Sequence, residues 1–144
     1  MVDRDLIAAK LGELARRIER VRRHRPASAR ELAGDLDAFD LVSFNLMLAV
    51  QACLDVASHL IADEGWQPAT DLAGAFRRLG EEGVLRRETA EALARAAGLR
   101  NVVAHAYGST DAALVFSGAT DGLADLERFA AEVAGWIEER TSAR

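Results

Sequence analysis

The segment from Phe39 to Ile61 constrains this chain more than any other. Along it run Phe39, Leu41, Val42, Phe44, Leu46, Leu48, Val50, Leu54, Val56, Leu60 and Ile61, an apolar pattern that goes nearly all round a helix instead of forming one stripe. A helix apolar on most faces has to be covered on most sides. The chain has 144 residues, enough for one core. The helix is therefore either the centre of a bundle or is completed by a partner subunit. It forms the later part of a helical region from Glu31 to Ala62, opened or broken near Gly34.

The other periodicities are simpler. From Asp5 to Val21, the residues Ile7, Leu11, Leu14, Ile18 and Val21 recur at steps of four and three, one helical stripe, and Pro26 lies at or just beyond its end. Gly65 and Pro68 mark residues 63–69 as a loop. Thr70 then serves as the N-cap of a short helix with Leu72, Ala75, Phe76 and Leu79 inward, and Gly80 and Gly83 bracket the following turn. A fourth helix runs from about Arg87 toward Val103, with Gly98 its weak point and Gly108-Ser109-Thr110-Asp111 its exit. Residues 112–116 alternate too poorly for a strand and read as a loop. The last helix spans about Leu123 to Glu139, with Leu126, Phe129, Val133, Trp136 and Ile137 inward. The expected fold is all-α, an up-and-down bundle of four to five helices, one domain over residues 1–144.

Composition narrows the function. The 18 Lys and Arg against 23 Asp and Glu leave a net charge of −5. No unbroken apolar run exceeds the five residues of Leu46 to Val50, against the roughly 20 that span a bilayer. The first residues, Met1-Val2-Asp3-Arg4-Asp5, do not read as a secretory signal, so a cytoplasmic protein without a membrane partner is expected. Cys53 is the single cysteine and His24, His59 and His105 are scattered, which argues against a disulfide or a metal site.

Two polar features interrupt the apolar surfaces. Gln51, Asp55, Ser58 and His59 form a stripe on the central helix, either facing water or lining a shared cleft where Asp55 accepts a hydrogen bond from a basic group. The second is Arg100-Asn101-Val102-Val103-Ala104-His105-Ala106-Tyr107-Gly108, which places a permanent cation, an imidazole and a phenol at one helix end. On an ideal helix residues 100 and 107 share a face, while residue 105 is turned about 140° from residue 100. Either the helix end distorts, or two copies of the segment combine across a symmetric interface. Such a set suits RNA cleavage without a metal. A 2′-hydroxyl attacks the adjacent phosphorus, histidine serves as base or acid near neutral pH, and a guanidinium fork receives the charge on the phosphate oxygens. The run Arg16, Arg17, Arg20, Arg22, Arg23 and Arg25 is either a solvated face balanced by acids or a surface that attracts RNA.

Arg-x4-His-x-Tyr at Arg100, His105 and Tyr107 resembles the signature of the HEPN superfamily, and of its HepT-type toxins in particular. Residues 49–61, Gly65-Trp66, residues 75–79, residues 83–85 and residues 97–105 are also similar to that family, so the resemblance covers nearly the whole chain, least distinctly its first 25 residues. It implies an all-α homodimeric endoribonuclease with its active site in the dimer cleft, acting on RNA and not DNA and without a cofactor. It further implies a neighbouring MntA-type nucleotidyltransferase antitoxin that transfers AMP to the motif tyrosine. Carried over, Arg100 and His105 are catalytic, Tyr107 is the modified residue, Asn101 orients phosphate or the helix end, and Asp55 is a supporting residue. Two alternatives remain: a non-catalytic HEPN-like module that binds a nucleotidyltransferase and its nucleotide or substrate, and a purely structural dimerisation bundle.

Overall fold

The computed structural model describes the backbone of residues 2–105 and 111–143, and side chains for residues 2–100 and 111–143. Seven helices follow one another among them: α1 (Arg4–His24), α2 (Ala29–Ala33), α3 (Leu36–Glu64), α4 (Leu72–Glu81), α5 (Arg87–His105), α6 (Ala112–Ala119) and α7 (Asp121–Ser142). No strand occurs among the described residues.

Each start has a local cause. The Asp3 carboxylate accepts from the Leu6 N–H at 3.1 Å and that of Asp35 accepts from the Ala38 N–H at 3.1 Å, satisfying first-turn donors of α1 and α3. Ser28 accepts from the Glu31 N–H while the Glu31 carboxylate accepts from the Ala27 N–H, a reciprocal arrangement that starts α2 in spite of its five residues. At the end of α3, Gly65 takes the left-handed conformation at φ 70°, which costs a residue without Cβ little. The Trp66 N–H then reaches back to the Ile61 carbonyl at 3.0 Å.

The central helix is α3. The most extensive pairing in the fold is α1 along α3, followed by α4 on α5. Ile7, Leu14, Ile18 and Val21 of α1 are buried with Val42, Leu46, Ala49, Val50, Cys53, Val56 and Leu60 of α3. Phe76 of α4 meets Phe129 of α7 edge to face at 5.9 Å, a favoured aromatic geometry. By length and composition α3 could cross a bilayer, but 61% of its most apolar stretch is buried inside this protein. That apolar surface is used as core.

The structure corrects the sequence reading in three places. The four to five helices expected are seven. The region from Glu31 to Ala62 is divided at Gly34, as its position suggested, into a separate α2 and α3. Residues 112–116, expected to be loop, belong to α6: Asp111 caps the helix by accepting from the Ala113 N–H at 2.8 Å, and Val115 and Ala119 are buried. Spaced by four residues, those two form a helical stripe too short to stand out in the sequence. Finally, Asp71 and not Thr70 caps α4, its carboxylate accepting from the Gly74 N–H at 2.6 Å.

Candidate functional site at the end of the fifth helix

The helix α5 carries Arg100, Asn101 and His105, and its placement follows from contacts along its whole length. At its start, Glu132 of α7 accepts from the Arg86 backbone N–H at 2.7 Å and from the Thr89 hydroxyl at 2.6 Å. A carboxylate from another helix thus takes over the role usually played by a local cap. One turn later Ala90 lies where α4 comes closest: a Cβ on Gly80 would stand 2.9 Å from the Ala90 Cβ, so only glycine permits this approach. Leu93 and Ala97 are buried beyond it. Near the other end, Leu99 reaches Gly118 of α6, and Leu46 of α3 lies on the same glycine. Arg100 therefore sits where α3, α5 and α6 converge, and it is half-buried.

The backbone is helical from Arg100 through His105, including Gly98, the expected weak point. Residues 100 and 105 accordingly keep the helical offset of about 140°. The side chains of Asn101 and His105 lie outside the described residues, as does Tyr107 entirely.

Asp55 lies elsewhere on α3. Its carboxylate accepts from the Gln51 side-chain amide at 3.0 Å and pairs with Lys10 of α1 at 3.1 Å. The sequence suggested a basic partner for Asp55, and the structure supplies the chain's one lysine. This partner raises the Lys10 pKa above its ordinary value, chiefly through the hydrogen bond to Asp55 and then through its charge. Lys10, Asp55, Ser58 and His59 line a polar recess between α1 and α3, and His59 stands 3.5 Å from Asp63. Cys53 is buried and its thiol pKa is pushed well up by loss of solvent, which keeps it protonated and unreactive.

The arginine run divides by function. Arg17 donates to the buried Asn45 amide oxygen at 3.1 Å, Arg22 pairs with Glu127 of α7 at 2.6 Å, and Arg25 donates to the Ala119 carbonyl that ends α6. These three fasten the second half of α1 to α3, α7 and α6. Arg16 and Arg20 are exposed. Sequence reasoning missed Lys10, Glu132 and Asn45. Asn45 was visible as an amide within the apolar segment, whereas nothing in the sequence marked Glu132 among so many acids.

Two large apolar side chains of α3 and α6 meet solvent: Phe44 is 52% exposed and Leu114 46%.

Comparison with known proteins accounts for this arrangement. A family model for HepT-like ribonucleases matches residues 14–133. A protein of Archaeoglobus fulgidus that carries the name of an RNase is 31% identical over 98 residues, 68% of this chain and 74% of that one. The mRNA nuclease HepT of Shewanella oneidensis is 24% identical over 125 residues, 87% of this chain and 93% of that one. The solved structure of a tri-AMPylated Shewanella oneidensis HEPN toxin in complex with its MNT antitoxin has the same fold, with a TM-score of 0.84 at 23% identity, covering 94% of this chain and 99% of that one. The cytosolic protein YutE of Bacillus subtilis, whose function is unknown, shares the fold as well, with a TM-score of 0.81 at 16% identity over 96% and 93% of the two chains. Because the family model spans most of its length, α5 included, this chain belongs to the HepT-like ribonuclease family.

Proposed function

We propose that this protein is the ribonuclease toxin of a toxin–antitoxin pair, cutting RNA in the cytoplasm as a homodimer with Arg100 and His105 as its catalytic residues. The observation that carries the reading is the uninterrupted helix from Arg100 to His105, within the segment matched by the family. A single helix turns residues 100 and 105 about 140° apart, so two copies meeting at this end assemble a complete set more readily than one copy. Exposed Phe44 and Leu114 supply apolar surface for that meeting.

In this mechanism, one imidazole takes the proton from a ribose 2′-hydroxyl as its oxygen attacks the neighbouring phosphorus. The bond to the 5′-oxygen breaks, and an imidazolium protonates that oxygen, leaving a 2′,3′-cyclic phosphate. Arg100 holds the phosphate oxygens as their charge grows. The chemistry requires no metal or cofactor. Unpaired RNA is the preferred substrate, because the attacking hydroxyl has to swing in line with the leaving oxygen. Asn101 orients the phosphate or the helix end, and Asp55 supports the fold from the α1 side. AMP transferred to Tyr107 by an MntA-type nucleotidyltransferase would occupy the phosphate site and silence the toxin.

The test is RNA cleavage by purified protein. Arg100→Ala and His105→Ala are expected to lose at least about 100-fold in rate with an unchanged circular dichroism spectrum. In the same preparation Tyr107→Phe accepts no AMP from the transferase by mass spectrometry. Parent-like cleavage by either alanine variant overturns the assignment. A parent that binds the transferase yet cuts no RNA favours the non-catalytic module, for which the net charge of −5 is a natural fit.

A further inference from the structure

At the far end of the bundle from Arg100, about 30 Å away along α1 by its length, the start of α1 and the ends of α3 and α7 enclose a second recess. It is lined by Val2, Arg4, Glu64, Trp136, Ile137 and Arg140 and has a volume of about 230 Å³. Its wall is aromatic: Trp136 meets Trp66 edge to face at 5.9 Å, and the Arg140 guanidinium lies over the Trp136 ring at 4.5 Å. Glu64 pairs with Arg140 at 2.9 Å and is only 14% exposed, so its charge is already answered. Asp3 is committed to capping α1. Arg4 is exposed, and makes no hydrogen bond or ion pair among the described residues.

The recess thus combines an apolar floor, a stacked indole and guanidinium, and an uncommitted cation at its rim. It is smaller than the roughly 300–1,000 Å³ of a pocket that encloses a whole drug-sized ligand, a size suited to one flat ring. Unpaired bases stack on aromatic rings and on guanidinium planes, and each such contact strengthens single-strand binding without reading sequence. We infer that this recess is an accessory RNA site that takes one unpaired nucleotide, its base extending the Trp136–Arg140 stack and its phosphate on Arg4. The inference rests on the ribonuclease reading. It also gives an acidic protein a local grip on its polyanionic substrate away from the cleavage point.

Trp66 and Trp136 are the only tryptophans of the chain, and of the two only Trp136 lines this recess, so in a Trp66→Phe background intrinsic fluorescence reports on it. The experiment titrates the full-length protein in that background with a short unstructured 2′-O-methyl RNA, which a 2′-hydroxyl mechanism cannot cut, and follows tryptophan emission alongside anisotropy of a dye on the RNA. The two signals are expected to saturate together. Arg4→Ala should weaken binding by about five- to tenfold and lower the salt slope by about one. On long cleavable RNA it should raise KM with kcat unchanged. Saturating anisotropy with silent tryptophans, or an Arg4→Ala midpoint equal to the parent's, overturns the inference, and the nuclease reading survives if the parent still cuts RNA. A tryptophan response that depends on Arg4, in a parent that cuts nothing, upholds this site as an RNA site and removes the nuclease assignment instead. Trp136→Phe, which keeps an aromatic wall, is expected to bind within about twofold of the parent and to separate loss of stacking from loss of fold.

Discussion

The two ends of this bundle are finished differently. Where α3 and α7 terminate, Trp66 packs on Trp136, Arg140 bridges to Glu64, and Gly65 turns the chain back onto α3. Where α5 terminates, short α6 buries Val115 and Ala119 and its last carbonyl accepts from Arg25, while Leu114 of α6 and Phe44 of α3 stay exposed. The first end packs its two indoles against each other beside a recess that still meets solvent. On the proposed function, Arg100 would serve a phosphate at the second, and exposed Phe44 and Leu114 would serve a second subunit.

The contrast can be broken by mutation. Phe129→Ala removes a fully buried ring from the face-to-edge pair with Phe76 and is expected to cost about 3–5 kcal/mol, read as a loss of urea midpoint. A loss below about 1 kcal/mol would mean that the Phe76–Phe129 contact is loosely packed. Glu132→Ala leaves the Arg86 N–H and the Thr89 hydroxyl without their acceptor, at an expected cost of about 1–2 kcal/mol. If α5 is held from its start, RNA cleavage at a temperature where the variant stays folded should fall as well. Phe44→Gln is expected to change monomer stability by less than about 1 kcal/mol while weakening self-association, measured by sedimentation over a dilution series. A variant that is destabilised but still dimeric would assign Phe44 to the core instead.

The smallest effect is electrostatic. The folded Lys10 pKa lies above its ordinary value of 10.5 because of Asp55. Its contribution to stability is therefore fully present below about pH 10.5 and is lost as pH rises through the raised value. The pair is partly exposed, so the difference between parent and Asp55→Asn should be a few tenths of a kcal/mol near pH 8 and shrink by pH 11. A difference that grows with pH would show that Asp55 acts through some group other than Lys10.

Much of this was legible beforehand because helices advertise themselves by period. The stripe of Ile7, Leu14, Ile18 and Val21 is buried as its period predicts, and so is most of the apolar run of α3, with Phe44 the exception. The helix α6 was not, since its two buried residues, Val115 and Ala119, make a single step. Thr70 and Asp71 are both good caps, and their order along the chain did not show which would reach the Gly74 N–H. At the candidate site, Arg100 to Tyr107 was recognisable from residue types and spacing, whereas Asp55 drew attention without revealing that Lys10 would hold it.

Local order, then, was determined by sequence alone: helix period, capping residues, and a cation, an imidazole and a phenol within eight positions of one another, because each depends on neighbours a few bonds away. Which arginines became anchors and which carboxylate capped α5 were decided only by the tertiary structure. Those outcomes join residues 28 to 105 positions apart, as Arg17 with Asn45 and Arg22 with Glu127 do, and no local pattern records a contact that forms only once the helices have packed.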